Sequence, residues 1–412
     1  MHRALYTLLL RAALPVMLAR LWWRGRAEPL YRRWVRERLG ACRDAPGKPV
    51  VWVHAVSVGE ARASALLVHA LVQELEGCEV LVTCTTAAGR ETLKALHGES
   101  VHVAWLPWDL PGAVRRFLEH WRPRLGVMVE TEVWPNLVAA CAEFGVPLLL
   151  ANARMSEKSA RGYARWEGLS RPAFAALSAV CAQGESDATR LRTLGAREVQ
   201  VTGNLKFDAT PDAGRLAAGA ALREAGGRRT LLLASTREGE EAMLLDALGA
   251  IPGDLRLLVV PRHPNRFDEV DRLLASRGLE AARRSAGTGS GARVLLGDTL
   301  GEMDFYYAAA DVAVIGGSFA PLGGQNLIEA CAAGTPAVLG PHMFNFAEAT
   351  RLALDAGAAL QAPDAASAIR EAMALLDDPG RRRAMAEAGR SLCAAHRGAT
   401  ARHLAACLRL LK

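Results

Sequence analysis

The stretch VWVHAVSVGE, residues Val51–Glu60, combines a short apolar run, a small-residue turn and the beginning of a helix. Val51–Val53 is typical of a buried strand. From Glu60 onward the apolar residues follow helical spacing, with Leu67 and Leu71 on one face. Glu60 is therefore predicted in the first turn of a helix, at the carboxyl edge of a strand. Doubly wound α/β sheets bind their ligands at that edge.

Glu60 has two interpretations that this stretch leaves open. The positive end of the helix dipole favours an ionised carboxylate in the first turn. Such a carboxylate can act as a general base, which is the hypothesis we follow. The alternative is that Glu60 only caps its helix.

The composition favours a protein with phosphorylated or membrane-bound partners. The 412 residues allow two domains, and 51% apolar residues are enough for packed cores. A net charge of +7 suits nucleic acid, an anionic membrane surface or a phosphorylated substrate. Aromatic residues are only 6% and do not alternate with basic ones as in single-strand binders. We therefore predict a membrane and a phosphate as partners, and no nucleic acid.

The eight cysteines are scattered along the chain, without a C-x-x-C pair or a neighbouring histidine cluster. This distribution predicts reduced thiols in a protein that faces the cytosol. We predict neither disulfides nor a metal site.

An apolar segment, Leu5–Trp23, is about one membrane span long and contains Arg11, Pro15 and Arg20. A signal peptide is disfavoured because no small-residue cleavage site precedes the following charges. A transmembrane helix would bury Arg11, whereas a helix lying in the membrane surface tolerates both arginines and ends in Trp22–Trp23. The sequence leaves these two alternatives open. In both, a basic flank is expected to face anionic lipid on the cytoplasmic side, and it comprises Arg24, Arg26, Arg32, Arg33, Arg36 and Arg38.

From Pro49 onward, strand-like and helix-like runs alternate. The strands are continuous apolar runs, which predicts sheets covered on both faces and an α/β fold. The predicted strands are Val50–His54, Glu79–Thr83, Val101–Leu106, Leu125–Glu130, Pro147–Ala151, Ala179–Gln183, Glu198–Thr202, Thr230–Ala234, Leu255–Val260, Arg293–Leu296, Asp311–Ile315 and Pro336–Leu339.

Three segments are predicted in the chain. Residues 1–38 form an N-terminal membrane-anchor segment, 39–208 a first Rossmann-like domain, and 209–412 a second one that ends in helices. Phe207–Arg229 is less regular and is interpreted as the passage between the domains, and Ala286–Ala292 as a Gly/Ser-rich loop. The two domains are expected to face a cleft, because ligand sites are common at domain junctions.

Charged residues follow several strands of the first domain. Glu130 and Glu132 come directly after an apolar strand, and an extended backbone would point both side chains the same way. The alternative is that they complement the dipole of the next helix. Lys206 follows the last strand of the first domain, where it could reach a phosphate or be an ordinary surface charge. Arg154 follows another strand.

The second domain carries patterns typical of phosphate binding. Arg262 and His263 close a strand between two prolines, and the glycine pairs of Gly316–Ser318 and Gly323–Asn326 precede a helix. Glycines allow a close backbone approach, and a helix N-terminus offers N–H groups to an anion. Glu329 could accept hydrogen bonds from a ribose. Neither a P-loop nor a strict G-x-G-x-x-G motif is present.

Eight motifs, taken together, resemble one family of enzymes. They are HAVSVGE (His54–Glu60), ETEVWPN (Glu130–Asn136), NARMSEKSARGY (Asn152–Tyr163), GNLKFD (Gly203–Asp208), PRHPNRF (Pro261–Phe267), GEM (Gly301–Met303), GGSF (Gly316–Phe319) and GPHMFNF (Gly340–Phe346). The family is that of the 3-deoxy-D-manno-octulosonic acid (Kdo) transferases of lipopolysaccharide synthesis. The resemblance covers nearly the whole chain, including the N-terminal apolar segment.

The resemblance implies a GT-B glycosyltransferase on the cytoplasmic face of the inner membrane. Such enzymes pass Kdo from CMP-Kdo to a lipid A precursor, with inversion at the anomeric carbon and without an essential metal or other cofactor. The family's proton acceptor matches Glu60, and its transition-state-stabilising positions match Glu130 and Lys206. Together with the glycine-rich loop, the positions expected to bind the donor are Pro261, Arg262, His263, Gly301, Glu302, Met303, Gly316, Gly317, Ser318, Asn326, Leu327, Ile328 and Glu329. Ser57, Gly59 and Arg154 are expected to contact substrate.

Three residues depart from the pattern that the resemblance implies. Arg237 and Gln325 stand where the family usually has histidine, and Ala330 stands where it usually has proline. These departures concern contacts with the donor and leave the expected reaction class unchanged.

Overall fold

The computed structural model describes residues 1–225, 227–287 and 291–412, so residues 288–290 of the predicted Gly/Ser-rich loop lie outside the described residues. The chain divides into two compact units, residues 1–208 with 398–412 and residues 209–397. Each unit contains a seven-stranded sheet whose strands pair in parallel. The predicted α/β class is therefore confirmed.

The first unit contains most of the N-terminal half of the chain. Its helices are α1 (Arg3–Arg24), α2 (Val58–Glu74), α3 (Ala87–His97), α4 (Pro111–Trp121), α5 (Pro135–Glu143), α6 (Glu157–Ala164), α7 (Glu167–Ala175) and α8 (Glu185–Thr193). Its strands are β1 (Val50–His54), β2 (Glu79–Cys84), β3 (His102–Trp105), β4 (Pro123–Val129), β5 (Leu148–Ala153), β6 (Ala179–Ala182) and β7 (Val199–Val201). Short 3-10 helices occupy Pro29–Arg32, Val35–Leu39 and Leu205–Asp208.

The second unit repeats the alternation of strands and helices. Its helices are α9 (Ala213–Glu224), α10 (Glu240–Leu248), α11 (Phe267–Ser276), α12 (Met303–Ala309), α13 (Leu327–Ala333), α14 (Ala347–Asp355), α15 (Ala365–Asp377) and α16 (Pro379–His396). Its strands are β8 (Arg229–Thr236), β9 (Leu255–Pro261), β10 (Ala281–Arg283), β11 (Val294–Leu296), β12 (Val312–Ile315), β13 (Ala337–Leu339) and β14 (Ala359–Gln361). Helix α17 (Ala399–Leu411) returns to the first unit.

The strand order of the first sheet is β3-β2-β1-β4-β5-β6-β7. Strand β1 therefore lies between β2 and β4, and the direction of winding reverses there. Trp52 points into one hydrophobic cluster, whereas Val51 and Val53 belong to the cluster on the opposite face. This two-sided burial explains why β1 is a continuous apolar run. The reversal creates a crevice beyond the carboxyl ends of β1 and β4.

The second sheet has the order β10-β11-β9-β8-β12-β13-β14, so its winding reverses between β8 and β12. Strands β10 and β14 were not predicted, because each has only three residues and lies at an edge of the sheet. Helix α9 occupies the segment interpreted as an irregular passage. Gly219 of this helix is buried, and a Cβ atom there would lie 2.3 Å from the Phe305 carbonyl oxygen of α12. Gly219 therefore allows α9 to pack closely against α12, and this part of the segment is a packed helix and not a flexible link.

Helix α17 corrects the predicted extent of the second domain. Ala406 and Cys407 are buried in the hydrophobic cluster of the first sheet. The Asp208 carboxylate accepts a hydrogen bond from the Gly398 backbone N–H at 2.6 Å, and the Asn152 N–H donates to His403 Nε2 at 2.9 Å. These contacts assign residues 398–412 to the first unit.

Helix α1 is the one helix among the described residues that is long and apolar enough to cross a membrane, judged by length and composition. The segment after it differs from the predicted anchor over residues 1–38. Glu37 and Arg38 are buried, and the Arg38 guanidinium lies 4.1 Å from the centre of the Trp105 ring. Arg38 is therefore part of the folded unit, and its predicted place in a lipid-facing flank is corrected.

Candidate active site

Glu60 lies in the first turn of α2, and Ser57 is the N-cap residue of that helix. Ser57 Oγ accepts a hydrogen bond from the Glu60 N–H at 3.5 Å and donates to Glu60 Oε1 at 3.2 Å. The Val56 N–H donates to Glu60 Oε2 at 2.7 Å. This arrangement is close to a capping box, so Glu60 does cap its helix. Gly59 is exposed, and a Cβ atom there would meet only Ser57 Oγ, at 3.8 Å.

The surroundings of Glu60 change its pKa, unlike those of a capping carboxylate that is exposed to solvent. Burial and the negative charge of Glu130 raise the pKa of Glu60 to about 8, against the opposing hydrogen bonds from Val56 and Ser57. Glu132 adds a smaller effect in the same direction. A carboxylate whose pKa is close to the working pH is suited to proton transfer. Glu60 can therefore cap its helix and also act as a general base.

Glu130 lies between two cationic side chains beyond the end of β4. Lys206 Nζ is 3.5 Å from Glu130 Oε1, and an Arg154 guanidinium nitrogen is 4.0 Å from Oε2. The side chains of Glu130 and Lys206 are only 16% and 19% exposed. The structure thus brings together three predicted residues that follow different strands. Each of them also lies on the same edge of the sheet as Glu60.

The backbone of Glu130 corrects the premise that Glu130 and Glu132 continue an extended strand. Glu130 has a φ of +63°, in the left-handed region that costs a non-glycine residue energy. Strand β4 ends at Val129, so the alternation rule does not apply beyond it. Glu132 instead lines a cavity of about 340 Å³ together with Trp134 and Tyr163. Burial raises the pKa of Glu132 as well.

Asp109 holds the start of α5, and it was not among the residues predicted from the sequence. Its two carboxylate oxygens accept hydrogen bonds from the Asn136 and Leu137 N–H groups at 3.0 and 2.7 Å. Asn136 Nδ2 donates to the Asp109 carbonyl oxygen at 2.7 Å. Asp109 therefore caps α5 from a position 27 and 28 residues before the two donors. No local pattern marks such a distant cap.

Replacing Asp109 by alanine is expected to lower the free energy of unfolding of the first unit by about 2 kcal/mol, because two buried N–H groups lose their acceptor. All nine tryptophans lie within residues 1–208, so their fluorescence during urea unfolding reports this unit. Asp212→Ala removes the N-cap of α9 in the other unit and serves as the control. A D109A loss no larger than that of the control would contradict the assignment.

In the second unit, the glycine-rich loop follows β12 at the reversal of the sheet. A Cβ atom at Gly316 would lie 2.6 Å from the Thr236 Cα of β8, and Gly317 has a φ of +67°. The Gly317 and Phe319 N–H groups donate to the two carboxylate oxygens of Glu240, at 2.5 and 2.9 Å. Glu240 is fully buried and shapes this loop. The sequence analysis missed Glu240, because a glutamate at the start of a helix is common.

Several of the residues expected to bind the donor have buried side chains, among them Ser318, Leu327 and Ile328. Ser318 is fully buried, and its Oγ accepts a hydrogen bond from the Gly340 N–H at 2.8 Å. Leu327 and Ile328 are buried in the hydrophobic interior. These side chains shape the loop and the start of α13 rather than face a ligand.

Asn326 and Glu329 form a pair at the start of α13. Asn326 Oδ1 accepts a hydrogen bond from the Ile328 N–H, and its Nδ2 donates to Glu329 Oε1 at 2.9 Å. Arg262 Nε donates to Gln325 Oε1 at 3.2 Å. Gln325, one of the departures, thus joins the end of β9 to the glycine-rich loop.

A cationic region surrounds His263 at the carboxyl edge of the second sheet. Burial and the charges of Arg237 and Arg262 lower the pKa of His263, which favours its neutral form. Pro261 is the last residue of β9 and precedes this region. Within the ranges that the structure describes, no group of three or more His, Cys, Asp and Glu side chains could hold a metal ion.

Gly301, Glu302 and Met303 lie at the start of α12. Gly301 has a φ of +76°, which favours glycine. Glu302 Oε2 accepts a hydrogen bond from Thr299 Oγ1 at 2.6 Å, and Met303 Sδ lies 3.8 Å from Ser235 Oγ at the end of β8. The structure therefore places this motif next to the central strand of the second sheet.

Comparison with known proteins identifies the family. A family model described as 3-deoxy-D-manno-octulosonic-acid transferase (kdotransferase) matches residues 33–209, and one described as glycosyl transferases group 1 matches residues 277–392. A 3-deoxy-D-manno-octulosonic acid transferase of Bordetella pertussis is 51% identical, and the match covers 98% of each chain. The chain belongs to the Kdo transferase family. A transferase of the same name from Haemophilus influenzae is 34% identical over 98% of this chain and 97% of that one.

The predicted class of enzyme and its fold are confirmed by these findings: this Kdo transferase is a glycosyltransferase. The solved structure of a glycosyltransferase from Rickettsia africae matches with a TM-score of 0.62 and covers 89% of this chain and 99% of that one. At 14% identity this likeness shows the fold alone. The two Rossmann-like units are those of the GT-B class.

Proposed function

We propose that this enzyme transfers Kdo from CMP-Kdo to a lipid A precursor, with inversion and with Glu60 as the general base. One observation carries the proposal. At the reversal of the first sheet, a carboxyl group with a raised pKa lies beside the cluster of Glu130, Lys206 and Arg154. A base and fixed cations at one sheet edge are the groups that a glycosyl transfer to a hydroxyl requires.

The reaction is a single displacement in which Glu60 accepts one proton. The acceptor hydroxyl oxygen attacks the anomeric carbon of Kdo, and its O–H bond breaks as the proton passes to the Glu60 carboxylate. The new C–O bond forms on the face opposite the bond to the phosphate, which breaks and releases CMP. Inversion at the anomeric carbon follows from one such displacement. Glu130 maintains the base strength of Glu60 through its negative charge.

The leaving group is a nucleoside monophosphate, which develops less charge than a diphosphate. Lys206 and Arg154 in the first unit supply positive charge that can act on that phosphate. We therefore propose that the reaction needs no metal ion and no other cofactor. Addition of EDTA is expected to leave the rate of transfer unchanged.

The acceptor would be reached at the cytoplasmic face of the inner membrane. Helix α1 carries exposed apolar side chains, among them Leu9, Val16 and Trp23. The net charge of +7 favours binding to an anionic lipid surface and to a phosphorylated lipid. These properties support the proposed membrane partner and the proposed acceptor.

The pH dependence of transfer should report the protonation of Glu60. Only the carboxylate can accept the proton, and its pKa is raised to about 8. We expect kcat/KM to rise about tenfold per pH unit below that value and to level off above it. Initial rates between pH 6 and 9 measure this profile. In the Glu130→Gln variant the rising part of the pH profile should move to lower pH, because the negative charge that raises the pKa of Glu60 is lost. An unchanged profile would contradict the assignment of this pKa to Glu60.

Mass spectrometry of the products formed from CMP-Kdo and a tetra-acylated lipid A precursor tests the function as a whole. The mass of the acceptor should increase by that of one or more Kdo residues, and CMP should be released. Competition by CMP but not by UDP would support the donor. Transfer from a UDP-sugar, or binding without transfer, would overturn the proposal.

A further inference from the structure

The half-buried residues of α1 repeat at intervals of three or four along the entire helix. They include Tyr6, Leu10, Ala13, Met17, Leu21 and Arg24. Residues at this spacing lie on one face of an α-helix. One face of α1 is therefore partly covered from its first turn to its last.

Polar contacts join the beginning of α1 to the first unit. Thr7 Oγ1 donates a hydrogen bond to Asn136 Oδ1 at 3.1 Å, at the start of α5. An Arg3 guanidinium nitrogen lies 3.6 Å from the Glu143 carboxylate, at the end of the same helix. The first turns of α1 are thus seated on α5.

The end of α1 is joined to the same folded unit. The Arg32 guanidinium donates two hydrogen bonds to the Trp22 carbonyl oxygen, at 3.0 and 2.7 Å. The Arg24 guanidinium lies 4.4 Å from the centre of the Tyr31 ring, and Tyr31 stacks on Trp105 of β3. Tyr31 is 2% exposed, so this contact reaches the interior of the unit.

Because of the length of α1, the contacts at its two ends indicate whether the helix can cross a bilayer. Its 22 residues span about 33 Å at 1.5 Å per residue, close to the thickness of the hydrocarbon core. If α1 crossed the bilayer, one end would lie on the far side, about 30 Å from the unit that remains at the surface. A crossing helix could keep only one of the two sets of contacts.

The opposite face of α1 is apolar and exposed. Leu5, Leu8, Leu9, Val16, Trp22 and Trp23 are 50%, 62%, 53%, 69%, 56% and 68% exposed, and their spacing places them within one half of the helix circumference. At 3.6 residues per turn, Arg11 and Arg20 lie at opposite edges of this outer face. Arginines at the edges of an apolar face match a helix that lies at the level of the lipid headgroups.

We propose that α1 lies lengthwise in the surface of an anionic bilayer and does not cross it. Its outer face would enter the boundary between headgroups and acyl chains, while the first unit covers its inner face. Arg11 and Arg20 would meet lipid phosphates. This inference rests on the membrane association proposed above and selects one of the two alternatives that the sequence left open.

Labelling of the two ends of α1 from one side of the membrane tests the orientation. His2→Cys and Ala27→Cys are introduced separately into the full chain, at exposed positions before and after the helix. Sealed inverted vesicles of bacterial inner membrane, which present their cytoplasmic face, are treated with a membrane-impermeant maleimide. Peptide mass spectrometry then distinguishes the new thiols from native cysteines. We expect both to react in intact vesicles, with less than a twofold increase after detergent.

The alternatives give different results in the same experiment. If α1 crosses the bilayer, Ala27→Cys still reacts, but His2→Cys reacts only after detergent, and the proposed orientation is overturned. A chain found in the soluble fraction, alone or associated with a second copy, instead overturns the membrane association itself.

A charge on the outer face provides a second measure with a matched control. Leu9→Glu is expected to weaken sedimentation with vesicles of zwitterionic and anionic phospholipid at least tenfold. Met243→Glu changes an apolar side chain of similar exposure, 44% against 53%, in the other unit. It should leave sedimentation unchanged. Equal losses in the two variants would contradict the assigned face.

Discussion

Replacing Glu60 by glutamine is expected to lower kcat for Kdo transfer by about 10²–10⁴-fold, the contribution typical of a general base. Glutamine has nearly the same shape, and its carbonyl oxygen can still accept the hydrogen bond from the Val56 N–H. It has no lone pair of sufficient basicity to take the acceptor proton. Binding of CMP should therefore stay unchanged, and the loss should be confined to the rate of transfer.

The Glu60→Gln variant is expected to be more stable than the parent at pH 7. The folded-state pKa of Glu60, about 8, lies above its ordinary value of 4.5, so the native state binds the proton more tightly. The contribution of this group to stability therefore falls as the pH rises from about 4.5 to 8. Near pH 7 the parent must take up a proton at Glu60 on folding, whereas the neutral amide needs none, so the substitution removes this cost.

A capping carboxylate elsewhere in the chain supplies the control for Glu60. Asp364 caps α15 by accepting a hydrogen bond from the Ser367 N–H at 2.7 Å. Asp364→Asn also removes the charge of a capping carboxylate. Asp364 is distant in the chain from Glu60. Steady-state rates of both variants, with CMP binding measured separately, decide the role. If E60Q keeps its kcat within tenfold of D364N, Glu60 is only a cap.

The central strands were predictable from sequence because their burial is simple. Strand β1 was predicted with its observed bounds, since residues such as Val51 and Trp52 are covered on opposite faces and leave an unbroken apolar run. Strand β10, which is only partly buried and carries Arg283, gives no such run. Apolar runs in the sequence thus predict the central strands of each sheet better than the edge strands.

The members of the site were predictable, but not their partners. Residues that follow strands in a parallel sheet share one edge, which is why Glu60, Glu130 and Lys206 could be grouped from sequence. Asp109 and Glu240 could not, because each binds backbone N–H groups of a segment that is distant in the chain. Such supporting contacts depend on tertiary structure and leave no local pattern.

The left-handed backbone of Glu130 was also not predictable, and it changes the chemistry of the site. It directs Glu130 toward Lys206 and Arg154, while Glu132 lines an apolar cavity. A strained residue held by its surroundings is often part of a functional site. The departure from the strand pattern is therefore consistent with the proposed role of Glu130.

Lys206→Ala is expected to lower kcat by about 10²–10³-fold, the cost of removing one preorganised group that stabilises developing charge. Lys206 Nζ lies 3.5 Å from Glu130 Oε1, and its side chain is only 19% exposed, so its position is well restricted. If it acts on the leaving phosphate, the loss should appear in kcat, with little change in the KM for the acceptor. Lys48→Ala, at an exposed position of the same unit, should retain full activity.

The double variant Lys206→Ala/Glu130→Gln separates action on the substrate from simple pairing with Glu130. If Lys206 only compensates the charge of Glu130, removal of that charge should restore kcat to the level of Glu130→Gln alone. If Lys206 stabilises the transition state, the double variant should remain about 10²-fold below that level. Tryptophan fluorescence during urea unfolding checks that the first unit is intact in every variant. Full recovery in the double variant would remove Lys206 from the catalytic residues and leave it as the partner that holds Glu130 in place.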